Sequence, residues 1–327
     1  MTQLHLADLS GDLVMEPNRK GFGKGLLAAG KRDVNVVAAC ADLTDSTQIS
    51  LFRDEFPERF IEIGVAEQNL VTVGSGLAAR GKIPFVASYA AFSPGRNWEQ
   101  IRTTICLNNM PVKIIGAHTG LYTGKDGATH QMLEDIALMR VLPNMVVLAP
   151  CDSLEAEKMT LAMASDPRPN YMRLAREALP TLTTEKTPFE IGPAYIYERG
   201  SDVTIVSTGT MTYQALVAAE KLYKDGIEAE IIHVPTIKPL DAETLLKSIR
   251  KTGCVVTVEE AQINGGLGGA VAELVAEQCP VPLKRIGMQD HFGESGDPVE
   301  LFEHFGLDAK HIAMAAHHVV DRKTAQH

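Results

Sequence analysis

The stretch ERFIEIGVAEQNLVTVGSGLAARG, residues Glu58–Gly81, sets out the repeating unit of the fold and raises the question of function. Its aromatic and β-branched run, Phe60–Ile63, predicts a buried strand, and Gly64 predicts the turn that follows. A helix is predicted over Ala66–Arg80. Its apolar and small residues recur at the spacing of one packed face: Leu70, Val73, Gly74, Leu77 and Ala78. Glu67 stands on that same face, where a hydrophobic residue is expected.

This strand–helix unit recurs along the first part of the chain. Strands are predicted at Val34–Ala38, Phe60–Ile63, Pro84–Ala87, Val112–Gly116, Met145–Leu148 and Tyr171–Leu174. Helices are predicted at Gly21–Lys31, Ala66–Arg80, Trp98–Leu107, Gln131–Arg140 and Ser153–Ala164. Asp152 is expected to cap the last helix, with Glu155 three residues further on. Alternation of apolar strands with helices is typical of a parallel sheet covered on both faces.

The pattern lapses over residues 179–202, where Thr, Pro and Gly accumulate, so a linker is predicted there. Alternation then resumes. Strands are predicted at Val203–Ser207, Ala229–His233, Cys254–Val258 and Leu283–Ile286, and helices at Tyr213–Lys224, Ala242–Arg250, Gly269–Glu277 and Pro298–Phe302. We therefore predict an α/β fold of two doubly wound domains, residues 1–187 and a smaller domain of residues 188–327. The length of 327 residues also favours two domains.

Composition narrows the classes of partner. A net charge of −10 argues against nucleic acid or an anionic membrane surface as the main partner. The five cysteines are widely spaced and form no CxxC pair, so we expect buried free thiols and no zinc site. The first residues do not resemble a signal peptide, and no apolar stretch is long enough to span a bilayer. A cytoplasmic location is expected.

Glu67 allows two interpretations. A carboxylate in the first turn of a helix interacts favourably with the helix dipole, which suffices if the side chain faces water. Its register with Leu70 and Gly74 indicates burial instead, and a buried unpaired carboxylate becomes protonated or finds a partner. A carboxyl group kept partly protonated near neutral pH can donate a proton to a ring nitrogen. The register alone leaves a structural and a catalytic role open.

A second candidate segment is GAHTGLYTGKDGATHQMLED, residues Gly116–Asp135, which contains four glycines. It follows a predicted strand, and ligands of open α/β sheets bind beyond the carboxyl ends of strands. Thr129 is expected to cap a helix in which His130 comes first, where the dipole keeps the imidazole neutral. The alternative is a surface turn, but His118, Asp126 and His130 in one Gly-rich loop favour a binding site.

Two weaker signals come from aromatic and basic residues. Tyr89 and Phe92 end an apolar strand, where they are either core residues or a wall for a flat heterocycle. Three further residues lie in loops or at the ends of elements: Arg19, Ser46 and Arg176. Guanidinium groups suit phosphate oxygens, although solvated surface arginines are the commoner case.

Seven motifs occur in the order and spacing of the transketolase family, so the sequence resembles the second half of a transketolase. They are CADLTDS (Cys40–Ser46), GVAEQN (Gly64–Asn69), SYAAF (Ser88–Phe92), KDGATHQMLED (Lys125–Asp135), LPNMVVLAPCD (Leu142–Asp152), LAREALP (Leu174–Pro180) and DHFGESG (Asp290–Gly296). The ordered series covers nearly the whole chain. It implies a thiamin diphosphate-binding pyrimidine domain followed by a transketolase C-terminal domain. The family uses thiamin diphosphate with Mg²⁺ to move a two-carbon ketol unit between sugar phosphates.

The resemblance assigns cofactor-binding roles. Glu67 matches the glutamate that hydrogen-bonds the aminopyrimidine ring nitrogen and thereby promotes loss of the thiazolium proton. Tyr89 and Phe92 match aromatics that pack on the pyrimidine, and Asp42 matches an acid beside the cofactor. Where many members carry an aromatic before the Ser-Tyr pair, this chain has Val86–Ala87, so the composition of the aromatic wall stays open.

The resemblance also assigns substrate-binding roles. His118 and His130 match histidines that hydrogen-bond the first hydroxyls and the carbonyl of the sugar, and Asp126 matches the acid that binds another hydroxyl. The terminal phosphate is expected to bind three residues: Arg19, Ser46 and Arg176.

One family motif has no counterpart, namely the GDG…N sequence that binds Mg²⁺ and anchors the diphosphate. The resemblance therefore implies one subunit of a split transketolase, with the metal ligands on a separate diphosphate-binding subunit. The complete site is expected at the interface between these subunits, within a heterotetramer. No catalysis is expected from this chain alone.

Three alternatives share part of this pattern. Deoxyxylulose-phosphate synthase and the beta subunits of 2-oxo-acid dehydrogenases share the architecture and the glutamate. His118, His130 and Asp126 favour a polyhydroxylated donor over pyruvate. A non-catalytic regulatory subunit is the third alternative, and the presence of Glu67 and His130 argues against it.

Overall fold

The computed structural model describes residues 4–325. In the first part of the chain the strands are β1 (Met15–Glu16), β2 (Val36–Cys40), β3 (Phe60–Glu62), β4 (Ile83–Tyr89), β5 (Lys113–Ala117), β6 (Val146–Leu148), β7 (Asn170–Leu174) and β8 (Leu179–Pro180). The helices are α1 (Asn18–Arg32), α2 (Ser50–Glu55), α3 (Glu67–Ala79), α4 (Trp98–Gln100), α5 (Asp135–Arg140) and α6 (Ser153–Ser165). A π-helical segment, Ile101–Cys106, continues α4, and 3₁₀ turns occupy Pro57–Arg59 and Leu121–Asp126.

The second part repeats the alternation on a smaller scale. Its strands are β9 (Tyr195–Glu198), β10 (Val203–Ser207), β11 (Ala229–His233), β12 (Thr236–Lys238), β13 (Val255–Gln262) and β14 (Leu283–Met288). Its helices are α7 (Met211–Lys224), α8 (Ala242–Thr252), α9 (Leu267–Gln278), α10 (Pro298–His304) and α11 (Ala309–Thr324).

The larger sheet has seven strands in the order β12-β6-β7-β5-β4-β2-β3. All its neighbours are parallel except β12, which is antiparallel to β6. One face packs on Phe22 of α1 and Met159 of α6. The other face packs on Leu70 of α3 and Ile105 of the π-helical segment. Both faces are therefore covered, as predicted for strands made of buried apolar residues.

The smaller sheet has five strands in the order β14-β13-β10-β11-β9, and only β9 runs antiparallel to its neighbour within it. Helices α7 and α11 contribute Leu222 and Ile312 to one core, and α8 and α9 contribute Ile249 and Val271 to the other. This arrangement confirms the predicted α/β class with two parallel-sheet units; a separate two-stranded sheet pairs β1 with β8. The predicted boundary between residues 187 and 188 stays a prediction, and residues 1–3 and 326–327 of those domains lie outside the described part.

Several local predictions were wrong. Strand β3 is the edge of its sheet and is only half-buried, because it pairs with β2 alone. The predicted linker contains β8 and also β9, which pairs with β11. Helices α2 and α11 were not predicted. The helix predicted over Gln131–Arg140 begins only at Asp135.

Two observations bear on the environment of the chain. Within residues 4–325, no helix combines the length and the apolar character needed to cross a membrane. All five cysteines are free, and four of them are buried, which confirms the predicted thiols.

Candidate active site

The candidate residues gather at the carboxyl edge of the larger sheet. Strands β7, β5, β4 and β2 are consecutive neighbours there. Arg176 follows β7, His118 follows β5, Tyr89 ends β4 and Asp42 follows β2. Parallel strands bring their carboxyl ends to one edge, so side chains that are far apart in sequence meet.

Glu67 lies in the first turn of α3 and is 3% exposed, which confirms the burial predicted from its register. The Ser88 hydroxyl donates one long hydrogen bond of 3.4 Å to Glu67 Oε1, and Asn97 Nδ2 donates to the Glu67 carbonyl oxygen at 2.9 Å. An open cavity of about 480 Å³ adjoins Glu67, with Val65 and Arg96 also in its lining. Glu67 is thus sheltered from water yet belongs to the lining of a space that can admit a ligand.

Four rings form one cluster beyond the carboxyl ends of β4 and β5. The Tyr89 ring stacks on the His118 imidazole with centroids 4.1 Å apart. Phe92 lies 6.4 Å from Tyr89 and meets the His130 ring edge-on at 5.5 Å. The structure therefore brings together the two aromatics and the two histidines that the sequence singled out.

His118 is the most unusual of these residues. It is 1% exposed and has a left-handed backbone with φ of 57°. Neither buried ring nitrogen makes a hydrogen bond of good geometry, although the Ser46 backbone lies close enough to act on the ring. Burial, together with the nearby Arg19 and Arg176 guanidinium groups, lowers the pKa of His118 to about 3. The ring is therefore neutral near pH 7, with a donor and an acceptor left unused. Buried polar atoms of this kind are uncommon and point to a ligand.

Two arginines stand next to this histidine. Arg19 Nη1 donates to the Ser46 carbonyl oxygen at 2.6 Å, and Arg19 Nε is buried without a partner. Arg176 Nη1 donates to Asp126 Oδ1 at 2.8 Å. Burial lowers the pKa of Arg19, as does the charge of Arg176, so the two cations are close enough to repel each other. Such a pair is suited to an anionic group.

Asp42 lies on the loop after β2 with φ of 59°, and its side chain is exposed. Its N–H donates to Glu62 Oε1 at 2.8 Å. Glu62 also accepts hydrogen bonds from the Gly64 N–H and the Thr44 hydroxyl. Glu62 thus ties the loop of Asp42 to the turn that precedes Glu67. The sequence reading missed this residue, although a charged side chain inside the apolar run Phe60–Ile63 was a visible signal.

The predicted helix start at Thr129 is wrong. Residues 128–130 form a turn, and α5 begins five residues after His130, so no helix dipole acts on that ring. The Thr129 hydroxyl instead lies 2.9 Å from His130 Nδ1. The reason is the fully buried Gln131, whose hydrogen bonds to carbonyl groups fix the chain in a non-helical path.

A second buried cluster lies between the two sheets. Ligand atoms of Cys151, Glu155 and His233 all lie within 4.8 Å of one another, an arrangement that could hold a metal ion. They are already hydrogen-bonded: His233 Nε2 is 2.9 Å from Glu155 Oε2, which also accepts from the Cys151 N–H. His233 Nδ1 lies 2.9 Å from the Thr212 hydroxyl. Because each group has a partner, the cluster is explained without a metal, and the absence of zinc stays a prediction.

Two family models match the chain. Residues 17–181 match the transketolase pyrimidine-binding domain, and residues 192–312 match the transketolase C-terminal domain. The two matches follow each other in the order of the two sheets.

Two named relatives match over nearly their whole length. A transketolase C-terminal section from Methanocaldococcus jannaschii is 45% identical over 94% of this chain and 97% of its own. The 6-deoxy-6-sulfo-D-fructose transketolase subunit SqwH from Clostridium sp. is 42% identical over 91% of this chain and 92% of its own. Among solved structures, a split-gene transketolase described as an inactive beta4 tetramer is 42% identical with a TM-score of 0.88. That match covers 94% of this chain and 99% of the other.

Proposed function

Because the chain belongs to the transketolase family, we propose that it is the pyrimidine-binding and C-terminal subunit of a split, thiamin diphosphate-dependent transketolase. In this proposal it transfers a two-carbon ketol unit between sugar phosphates, and it does so only with a separate diphosphate-binding subunit that carries the Mg²⁺ ligands, in a heterotetramer. Its five free cysteines support a cytoplasmic location, where reducing conditions keep thiols from forming disulfides. The observation that carries the proposal is the buried carboxyl group of Glu67 beside an open cavity.

The residues present fit the cofactor. Glu67 has one long side-chain hydrogen bond among the described residues, so an oxygen is available to a ring nitrogen. Tyr89 and Phe92 offer aromatic faces, and Asp42 lies on a neighbouring loop. When bound, thiamin diphosphate supplies a nucleophilic thiazolium carbon. Glu67, sheltered from water, would share a proton with the pyrimidine nitrogen. The aromatic side chains would hold the pyrimidine ring against Glu67.

The histidines and Asp126 fit a polyhydroxylated donor. His118 offers one neutral donor nitrogen and one acceptor nitrogen, which can bind a hydroxyl and a carbonyl group. His130 and Asp126 lie on the same loop, and Arg176 holds the Asp126 carboxylate. This set supports a ketose over pyruvate, which has no hydroxyl groups to bind.

Arg19 and Arg176 fit the anionic end of the donor. We propose a phosphate, which offers several oxygens to two guanidinium groups. A sulfonate presents similar oxygens with less charge, and the name of one relative specifies a sulfosugar. A sulfonated ketose is therefore the second candidate substrate.

The proposal is tested with the chain and its diphosphate-binding subunit, thiamin diphosphate, Mg²⁺, xylulose 5-phosphate and ribose 5-phosphate. Ketol transfer and exchange of the thiazolium proton for deuterium are followed separately by NMR. We expect E67Q to lower both rates by roughly a hundredfold or more, the size of a lost proton-transfer group. The control is E55Q, because Glu55 is a half-exposed glutamate of the same domain that pairs with Lys31.

Each alternative has its own outcome. Activity with pyruvate alone would support a deoxyxylulose-phosphate synthase or a 2-oxo-acid dehydrogenase. Transfer from a sulfonated ketose but not from xylulose 5-phosphate would overturn the choice of phosphate. A wild-type complex that exchanges no thiazolium proton would support a regulatory subunit. Full proton exchange in E67Q would remove the basis of the proposal.

A further inference from the structure

The loop that carries Asp126 and His130 has little structure of its own. This substrate loop, residues 120–131, consists of 3₁₀ turns and a non-helical turn. Gly120, Gly124 and Gly127 all have positive φ angles in it, a conformation that glycine adopts without strain. The loop has a 3₁₀ segment but no α-helix or strand, and Arg176 of the first part holds it at the Thr123 carbonyl and at Asp126. The rest of its support comes from what packs against its other side.

The DHFGESG segment of the second part packs against the substrate loop. Gln131 is 3% exposed, and its Nε2 donates to the Gly124 carbonyl at 3.0 Å and to the Glu294 carbonyl at 2.8 Å. The Ser295 hydroxyl donates to the Lys125 carbonyl at 2.6 Å. The Ser295 bond therefore ends on Lys125, the residue before Asp126. Both Gln131 bonds start from the residue that follows His130.

The base of the loop is held by the same part of the chain. Glu260, in β13, accepts a hydrogen bond from the Tyr122 N–H at 2.6 Å, and the Tyr122 ring meets Phe302 of α10 edge-on at 5.2 Å. Two glycines let the side chains of Glu260 and Gln131 approach the backbone closely. A Cβ on Gly120 would lie 2.3 Å from Glu260 Oε1, and a Cβ on Gly293 would lie 2.0 Å from Gln131 Oε1.

We propose that the second domain positions the substrate-binding residues of the first, with Gln131 and Ser295 as positioning residues for Asp126 and His130. The inference rests on the proposed function and gives the C-terminal domain a part in binding the sugar. The two side-chain hydrogen bonds that cross between the parts, Gln131 to Glu294 and Ser295 to Lys125, lie on either side of Asp126 and His130, and packing of the two cores does not require them. Holding a flexible loop in its binding geometry lowers the ordering cost at the moment of binding.

The first test uses the chain alone and hydrogen–deuterium exchange read by mass spectrometry. We expect Q131L and S295A to speed the exchange of peptides covering residues 123–131 by about fivefold or more, because S295A loses one hydrogen bond and Q131L loses two, each worth about that factor. S295T keeps a hydroxyl at an exposed position and should retain slow exchange. The controls are Q214L and S201A, which remove side-chain hydrogen bonds of the second domain elsewhere, to Ala309 and Glu228.

The second test uses the assembled complex. We expect Q131L and S295A to raise KM for xylulose 5-phosphate roughly five- to tenfold, the effect of one or two lost hydrogen bonds. Exchange of the thiazolium proton should stay at the wild-type rate, because Glu67 lies on a different element. A general loss of structure would lower both.

The outcomes separate the inference from the function on which it rests. Wild-type loop exchange in both variants, or faster loop exchange with unchanged KM, overturns the positioning role and leaves the transketolase proposal intact. A wild-type complex without thiazolium proton exchange overturns the proposed function instead. Should Q131L fail to fold, the exposed S295A and its S295T rescue decide the matter alone.

Discussion

At the scale of single residues, the site is marked by polar side chains that the free chain does not satisfy. Glu67 is buried with one long hydrogen bond to its carboxyl group, and His118 is buried with none to its ring. Leaving such groups unpaired costs free energy of folding, typically about 1–3 kcal/mol for each buried donor or acceptor. Their retention is understandable if ligand groups complete the hydrogen bonds, as the proposed cofactor and sugar would.

His118 makes the stability of the isolated chain depend on pH. Its pKa is about 3 in the folded chain, whereas a histidine exposed to water, as in the unfolded chain, has a pKa of 6.5. Between these values the unfolded chain binds a proton that the folded chain does not, so the folded state loses stability as the pH falls through this window.

We predict that H118N weakens this dependence, and asparagine tolerates the positive φ at this position. Between pH 7.5 and pH 5.5, urea denaturation should show that the wild type loses about 1 kcal/mol more than the variant. H318N is the control, since His318 is exposed on α11. Equal losses in wild type and H118N would show that His118 is not buried in its neutral form.

At the scale of elements, the start of α6 does more than cap a helix. Asp152 Oδ1 accepts from the Glu155 N–H at 2.8 Å, which is the cap predicted from sequence. Asp152 also accepts from the Thr183 hydroxyl and from the N–H groups of Leu182 and Thr183. The cap residue therefore anchors the chain that leaves β8, and that second role depends on contacts far along the sequence.

The prediction at this scale compares two aspartate caps. D152A should lower the free energy of unfolding by at least about 2–3 kcal/mol, because it removes a cap and leaves three further donors without an acceptor. D308A, at the start of α11, removes a cap bond to the His311 N–H and a part-exposed contact with the His311 ring, and should cost about 1 kcal/mol. Urea denaturation of both variants measures the difference. Similar losses would mean that the anchor at residues 182–183 adds nothing.

At the scale of the whole molecule, the two sheets are joined by strand pairing and by buried polar contacts. Strand β12 comes after β11 in sequence but pairs with β6 in the larger sheet. Arg173 of the larger sheet donates to the carbonyl oxygen of Glu260 in the smaller sheet. Glu155 of α6 meets His233 of β11 without exposure to water. Burial raises the pKa of Glu155, but the charge and hydrogen bond of His233, together with hydrogen bonds from Cys151, hold that pKa below its usual value.

This buried pair leads to a prediction in which two substitutions are better than one. H233A should destabilise the chain by about 3–5 kcal/mol at pH 7.5, because it leaves a buried carboxylate without its partner. The double variant E155Q/H233A should be more stable than H233A, since its amide carries no charge. The exposed pair His317–Asp225 is the control, and H317A should cost less than about 1 kcal/mol. Urea midpoints that place the double variant at or below H233A would contradict this account.

Sequence periodicity was sufficient to locate most helices and strands but not to place their first and last residues. The helix at Glu67–Ala79 and the strand at Val203–Ser207 lie where the pattern placed them, because a repeated apolar face is written in consecutive residues. Strand β9 and the start of α5 were mispredicted. Strand β9 forms because it pairs with β11, which is distant in sequence. The start of α5 is set by the hydrogen bonds of Gln131, which no local sequence pattern reveals.

By itself, the sequence determined the alternating α/β class, the burial of Glu67 and the family, because these depend on residue order and spacing along one chain. Only the tertiary structure decided that Tyr89 stacks on His118, that Arg176 holds Asp126, and that Ser295 secures the substrate loop. The physical reason is that hydrogen bonds and ring contacts act over a few ångströms. Folding alone brings within that range groups as distant in sequence as Ser295 and Lys125, which are 170 residues apart.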